Sequence, residues 1–179
     1  MNKERGFTLV ELVVVIVLLG ILSAAALPRF INVTDNAYAA AYDGTVGAFQ
    51  SSASLFRAQW VATGNTGAVD DLANFGDGTV DSTTNGWPTG TDGSNTFGDG
   101  TDCTQLWTGL LGGSAPEISV SANVAGLTAL TSDYGTIRDS ATQCTYYYLL
   151  SGNASGDSVR NFSYSASNGS VTVNALQAL

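Results

Sequence analysis

Of the side chains that ordinarily carry chemistry, this 179-residue sequence has no histidine, one lysine (Lys3) and two cysteines (Cys103 and Cys144). The missing imidazole removes the commonest general base, the Ser-His and Cys-His nucleophile pairs, and the histidine zinc sites. Two cysteines are too few for a four-cysteine zinc site and too far apart for a CxxC redox motif, so a disulfide is their natural use, and it implies an oxidising compartment. One titratable residue stands out by position. Glu11 is the single charge in the apolar run Phe7 to Leu27, where an unpaired carboxylate costs several kcal/mol.

The element that must hold Glu11 is a helix. Twenty-one residues at 1.5 Å each span roughly 31 Å, enough to cross a bilayer core. Lys3 and Arg5 precede the run and no further basic residue occurs until Arg29, which orients the N-terminus to the cytoplasm and the remainder outside. A secretory signal peptide, with Ser23 to Ala26 as its small-residue end, and a plain anchor are the bland alternatives. Neither has a use for Glu11. A formal net charge of -9 argues against standing affinity for nucleic acid or an anionic membrane surface.

The segment Gly6-Phe7-Thr8-Leu9-Val10-Glu11-Leu12, behind a short charged leader and ahead of a long apolar helix, resembles the processing signature of type IV prepilins. Pro28-Arg29-Phe30, followed by Asn32 and Asp35, together with Asn85-Gly86-Trp87-Pro88-Thr89-Gly90, resembles the mannose-sensitive haemagglutinin (MSHA) pilins in particular. The resemblance implies that a prepilin peptidase cuts after Gly6 and methylates the new amine of Phe7, and that Pro28 bends the helix. It also implies the α+β type IV pilin fold, a long N-terminal helix packed on a C-terminal antiparallel sheet. In a filament the amine of Phe7 would approach Glu11 of a neighbouring subunit, and a buried charge is tolerated when paired, so Glu11 would set the axial register. Glu11 pairing with its own N-terminus, or protonated in the membrane, is the other account.

The rest of the chain follows as residues 1–6, a cleaved leader; 7–27, the transmembrane and filament-core half of the helix; 28–63, its amphipathic half; and 64–179, a globular domain. Tyr42, Val46, Phe49, Ala53, Phe56 and Trp60 form one helical stripe that predicts packing on that domain. Gly64 and Gly67 are expected to end the helix, which from Phe7 to about Ala62 would be roughly 84 Å long. Residues 64–102 hold nine Gly and seven Asp without Lys or Arg and read as loops. Within them Phe75-Gly76-Asp77-Gly78-Thr79 recurs as Phe97-Gly98-Asp99-Gly100-Thr101, either as two similar turns or as a calcium site of Asp oxygens, although no EF-hand spacing is present. The pair Cys103 and Cys144 would bound residues 103–144 and staple the loop after Asp102 to the Tyr-rich strand. Strand character begins near Glu117, and Asn161 to Ala166 leads through Asn168-Gly169 into Ser170 to Val173 as a hairpin.

The expected function is that of a structural pilin subunit, polymerising into an MSHA-like surface filament used in attachment; a pseudopilin of a type II secretion system is the alternative. The expected partners are other copies of the chain, the prepilin peptidase and an inner-membrane assembly platform, with no nucleic acid. The expected location is the inner membrane with the domain in the periplasm, then the surface pilus. No catalytic residue, cofactor or resident metal is expected apart from the open calcium alternative. A tethered hydrolase would need Asp or Ser-Lys chemistry, and a chain cut after Gly6 has no lysine.

Overall fold

The computed structural model describes residues 7–179, and for residues 27–32 the backbone alone. Lys3, Arg5 and Gly6 therefore lie outside the described residues, as does the side chain of Pro28. The chain divides into two units, Met1–Ala40 and Ala41–Leu179. Helix α1, Leu9–Ala62, contributes to both, and its helical assignment continues through residues 27–32.

Helix α1 ends where the sequence supplies a residue free to leave the helix. Gly64 has φ +75°, its N–H donates to Val61 O (3.0 Å), and the N–H of Asn65 donates to Trp60 O (3.3 Å). These are the paired bonds of a Schellman motif, with Gly in the left-handed position that an L side chain resists. Gly67 plays no part in these terminal bonds. In the second unit the predicted stripe is buried throughout, from Tyr42 (1% exposed) to Phe49 and Phe56 (both 0%).

The stripe faces a five-stranded sheet of order β1-β2-β3-β5-β6, built from β1 (Ile118–Val120), β2 (Tyr134–Ser140), β3 (Gln143–Tyr148), β5 (Asn161–Ser165) and β6 (Ser170–Val173). Strands β4 (Ser158–Val159) and β7 (Gln177–Ala178) form a separate antiparallel pair. The sheet is not wholly antiparallel as the sequence suggested. Strand β1 runs parallel to β2, because the connection between them crosses over through the 3-10 segment Val124–Ala129. Aromatic rings fill the core between helix and sheet. Phe49 lies 5.2 Å from Tyr146, 5.4 Å from Phe162 and 5.4 Å from Tyr164, centroid to centroid. A second apolar cluster of Leu127, Tyr147, Leu149 and Val159 is packed by Val124, Leu130, Ile137 and Leu179.

The loop expected up to residue 102 is shorter than the sequence suggested. Helix α2, Gly100–Leu111, starts inside it, capped by Asp99, whose side chain accepts from the N–H of Thr101 (2.6 Å), while Asp102 completes a reciprocal capping box. Leu106, Trp107 and Leu110 bury its inner face. The disulfide Cys103–Cys144, with a Cα separation of 5.9 Å, consequently ties a helix, not a loop, to β3. Tyr146 Oη donates to Cys103 O (3.0 Å) beside it.

Arg57 fixes the far end of α1. Its guanidinium lies 4.4 Å from the ring centre of Trp60 and 5.8 Å from that of Trp87. Arg138 donates from Nε to Phe97 O (2.7 Å), and Arg160 joins β4 to β5, its carbonyl accepting from the N–H of Tyr148 (2.9 Å). Gly86 has φ +74° and its α-carbon faces the Trp60 ring so closely that a methyl group would enter it. Gly86→Ala combines a left-handed strain of about 1 to 2 kcal/mol with an overpacking cost of about 1 to 3 kcal/mol. It is expected to lower the unfolding free energy by about 3 kcal/mol in a urea titration followed by tryptophan fluorescence.

Candidate functional site: the N-terminal segment

Thr8-Leu9-Val10-Glu11 is a Thr-x-x-Glu sequence immediately before an apolar run, and it starts α1 for that reason. The N–H of Glu11 donates to Thr8 Oγ1 (3.3 Å), while Glu11 Oε2 accepts from the N–H of Thr8 (2.9 Å) and from Thr8 Oγ1 (2.8 Å). The helix thus begins two residues after Phe7, with Thr8 as its cap. Glu11 is held by the first turn of its own chain, near the positive end of the helix dipole where a carboxylate is stabilised. The sequence singled out Glu11 by its position but not its partner Thr8, although the spacing of the two carries the signal.

Every residue from Phe7 to Ala25 is exposed. The large apolar side chains of this span range from Val13 at 43% to Phe7 at 89% exposure and lie on all sides of the helix. A polar residue in it is satisfied within the backbone, Ser23 Oγ donating to Leu19 O (2.7 Å). The stretch Leu9–Ala26 is long and apolar enough to cross a membrane. An isolated chain in water cannot leave so much apolar surface uncovered, so this segment requires lipid or protein around it.

The two Phe-Gly-Asp-Gly-Thr repeats fold as related turns. Asp77 Oδ1 accepts from the hydroxyl (2.7 Å) and N–H (3.2 Å) of Thr79, and Asp99 takes the N–H of Thr101; these bonds hold both carboxyls below their usual range. Only the second turn continues into a helix. Asp81 is fully buried and bridges two loops by accepting from the N–H groups of Asp71 (2.9 Å) and Gly93 (2.8 Å). Burial pushes its carboxyl up, those two bonds act in the opposite sense, and the charges of Asp71 and Asp70 add to the rise. Among the described residues no three His, Cys, Asp or Glu side chains are placed to hold a metal ion together.

Comparison with known proteins concerns this same N-terminal segment. Residues 1–27 match the family described as the prokaryotic N-terminal methylation motif. The chain is also similar to the type IV narrow pilus major component PilA5 of Thermus thermophilus, at 46% identity over 57 residues, which cover 32% of this chain and 49% of that protein. No solved structure matches the chain. Residues 1–27 thus carry the prokaryotic N-terminal methylation motif, on a capped apolar helix with a carboxylate in its first turn, and the chain spans about half the length of the curated relative that it matches.

Proposed function

We propose that the protein is a structural subunit, not an enzyme, of a type IV filament of the MSHA-like kind used in attachment. The observation that carries the reading is the Phe7–Ala25 span, exposed on all sides yet bearing a carboxylate in its first turn. A membrane accounts for the apolar surface alone. A core made of many copies accounts for the carboxylate as well, because each Glu11 can then meet the amine of Phe7 from a neighbour.

On this reading the chain waits in the inner membrane with residues from Pro28 onward in the periplasm. A prepilin peptidase removes residues 1–6 and methylates Phe7, and an inner-membrane assembly platform adds the chain to a filament that reaches the surface. Pro28 supplies a point where the helix can bend. The MSHA-like assignment rests on the Pro28-Arg29-Phe30 and Gly86-Trp87-Pro88 resemblance. In this structure the second segment is packed into the sheet: Tyr164 Oη donates to Pro88 O (2.9 Å) and Trp87 packs over Gly169.

N-terminal mass spectrometry of the full chain expressed in a piliated bacterium is expected to find Phe7 as the first residue, carrying one methyl group on its amine. A chain beginning near Ala25 or Ala26 would restore the signal-peptide reading and overturn this one.

A further inference from the structure

Strand β6 is one edge of the sheet. The N–H of Asn174 donates to Asn161 O (3.0 Å), and the β5–β6 register pairs Ser163 with Thr172 and Ser165 with Ser170. Antiparallel ladders alternate, so these are the hydrogen-bonded pairs, and the N–H and C=O groups of Val171 and Val173 point away from β5. Among the described residues no strand lies on that side.

Protein edges of this kind are usually blunted by a charge or a proline, because open N–H and C=O groups recruit other strands. This one has neither. No Asp, Glu, Lys, Arg or Pro occurs from Asn161 to Leu179. Val173 (59% exposed) and Leu176 (62%) add apolar surface beside the edge. On the outer face Thr145 Oγ1 is bonded to Ser163 Oγ (2.7 Å) and Asn174 Nδ2 to Asn161 Oδ1 (2.7 Å). The outward N–H and C=O groups of Val171 and Val173 have no strand to pair with among the described residues.

Charge selects the partner. A chain cut after Gly6 carries 14 acidic side chains against four basic ones, so copies repel wherever acidic surfaces meet. Neutral surface escapes this repulsion, and residues 161–179 supply a continuous neutral stretch of sequence. We propose that the β6 edge, with Val173 and Leu176, is where this unit contacts another copy of the same chain. The proposal rests on the filament reading above and names a surface for it outside the N-terminal helix.

The test compares backbone amide exchange in intact sheared filaments with that in detergent-solubilised full-length chain, using peptides covering residues 167–176. The amides of Val171 and Val173 are expected to exchange freely in detergent and at least about tenfold more slowly in filaments. Val173→Lys places a charge at the edge on a side chain that is already exposed. It is expected to leave the circular dichroism of the detergent-solubilised chain unchanged and to lower filament yield about tenfold or more. Equal exchange in the two states, or parental yield from Val173→Lys, overturns the edge contact while leaving the filament reading intact. A parent chain that forms no filaments overturns both.

Discussion

Glu11→Gln is expected to accumulate in the inner membrane at the parental level and to be almost missing from sheared filaments. Glutamine keeps the length and acceptor oxygen that a capping box needs at this position, so the first turn of α1 should survive. What disappears is the charge. On the filament reading proposed above, the methylated amine of Phe7 would then lack its counter-ion in an apolar core, a penalty of about 3 to 5 kcal/mol for each subunit joined. That reduces incorporation by roughly two to four orders of magnitude. Thr8→Ala is the converse variant. It keeps the carboxylate and removes the cap, which costs about 1 kcal/mol, and its filament yield should fall far less. Immunoblots of membrane and filament fractions separate the two. Normal piliation by Glu11→Gln would leave Glu11 with only the local bonds to Thr8 seen here.

The double variant Cys103→Ser and Cys144→Ser should lose most of the stability of the second unit. The disulfide closes a loop across 41 residues of sequence separation, worth about 4 kcal/mol in the chain-entropy model. Both residues are fully buried, so two hydroxyls also enter an apolar region, each at about 1 to 3 kcal/mol unless bonded. Against a typical total of about 5 to 15 kcal/mol this is a large fraction. The expected result is a thermal midpoint at least about 10 °C lower for the detergent-solubilised full chain, read by near-ultraviolet circular dichroism, with membrane insertion unchanged. An unaltered midpoint would show that α2 and β3 hold together without the bond.

What the sequence revealed and what it concealed follow from where the energy of each element resides. The stripe from Tyr42 to Trp60 was legible because helical periodicity and burial coincide there. The β5–β6 hairpin was legible from Asn168-Gly169, and Gly169 takes φ +72°. Helix α2 was hidden. Its opening residues Gly100, Thr101, Asp102, Cys103 and Thr104 have poor helix propensity, and it exists through the Asp99 and Asp102 caps and the burial of Leu106, Trp107 and Leu110. The parallel placement of β1 was hidden too, since three residues carry no periodicity that specifies a partner. In the candidate site Glu11 was conspicuous by its cost, whereas its bonds to Thr8 required reading the same five residues as a helix start.

The disposition of the arginines has a consequence for resistance to proteolysis. From Ala41 onward trypsin-like proteases have only Arg57, Arg138 and Arg160 as cleavage points. Arg57 lies in a helix with its guanidinium close to two indole rings, Arg138 lies in β2 and is bonded to Phe97, and Arg160 sits between strands with its carbonyl engaged. Such enzymes need several residues of extended, unpaired backbone at the bond they cut. Nicking of this unit must therefore wait for those elements to open, so its digestion is governed by the folding equilibrium and not by the abundance of cleavage points.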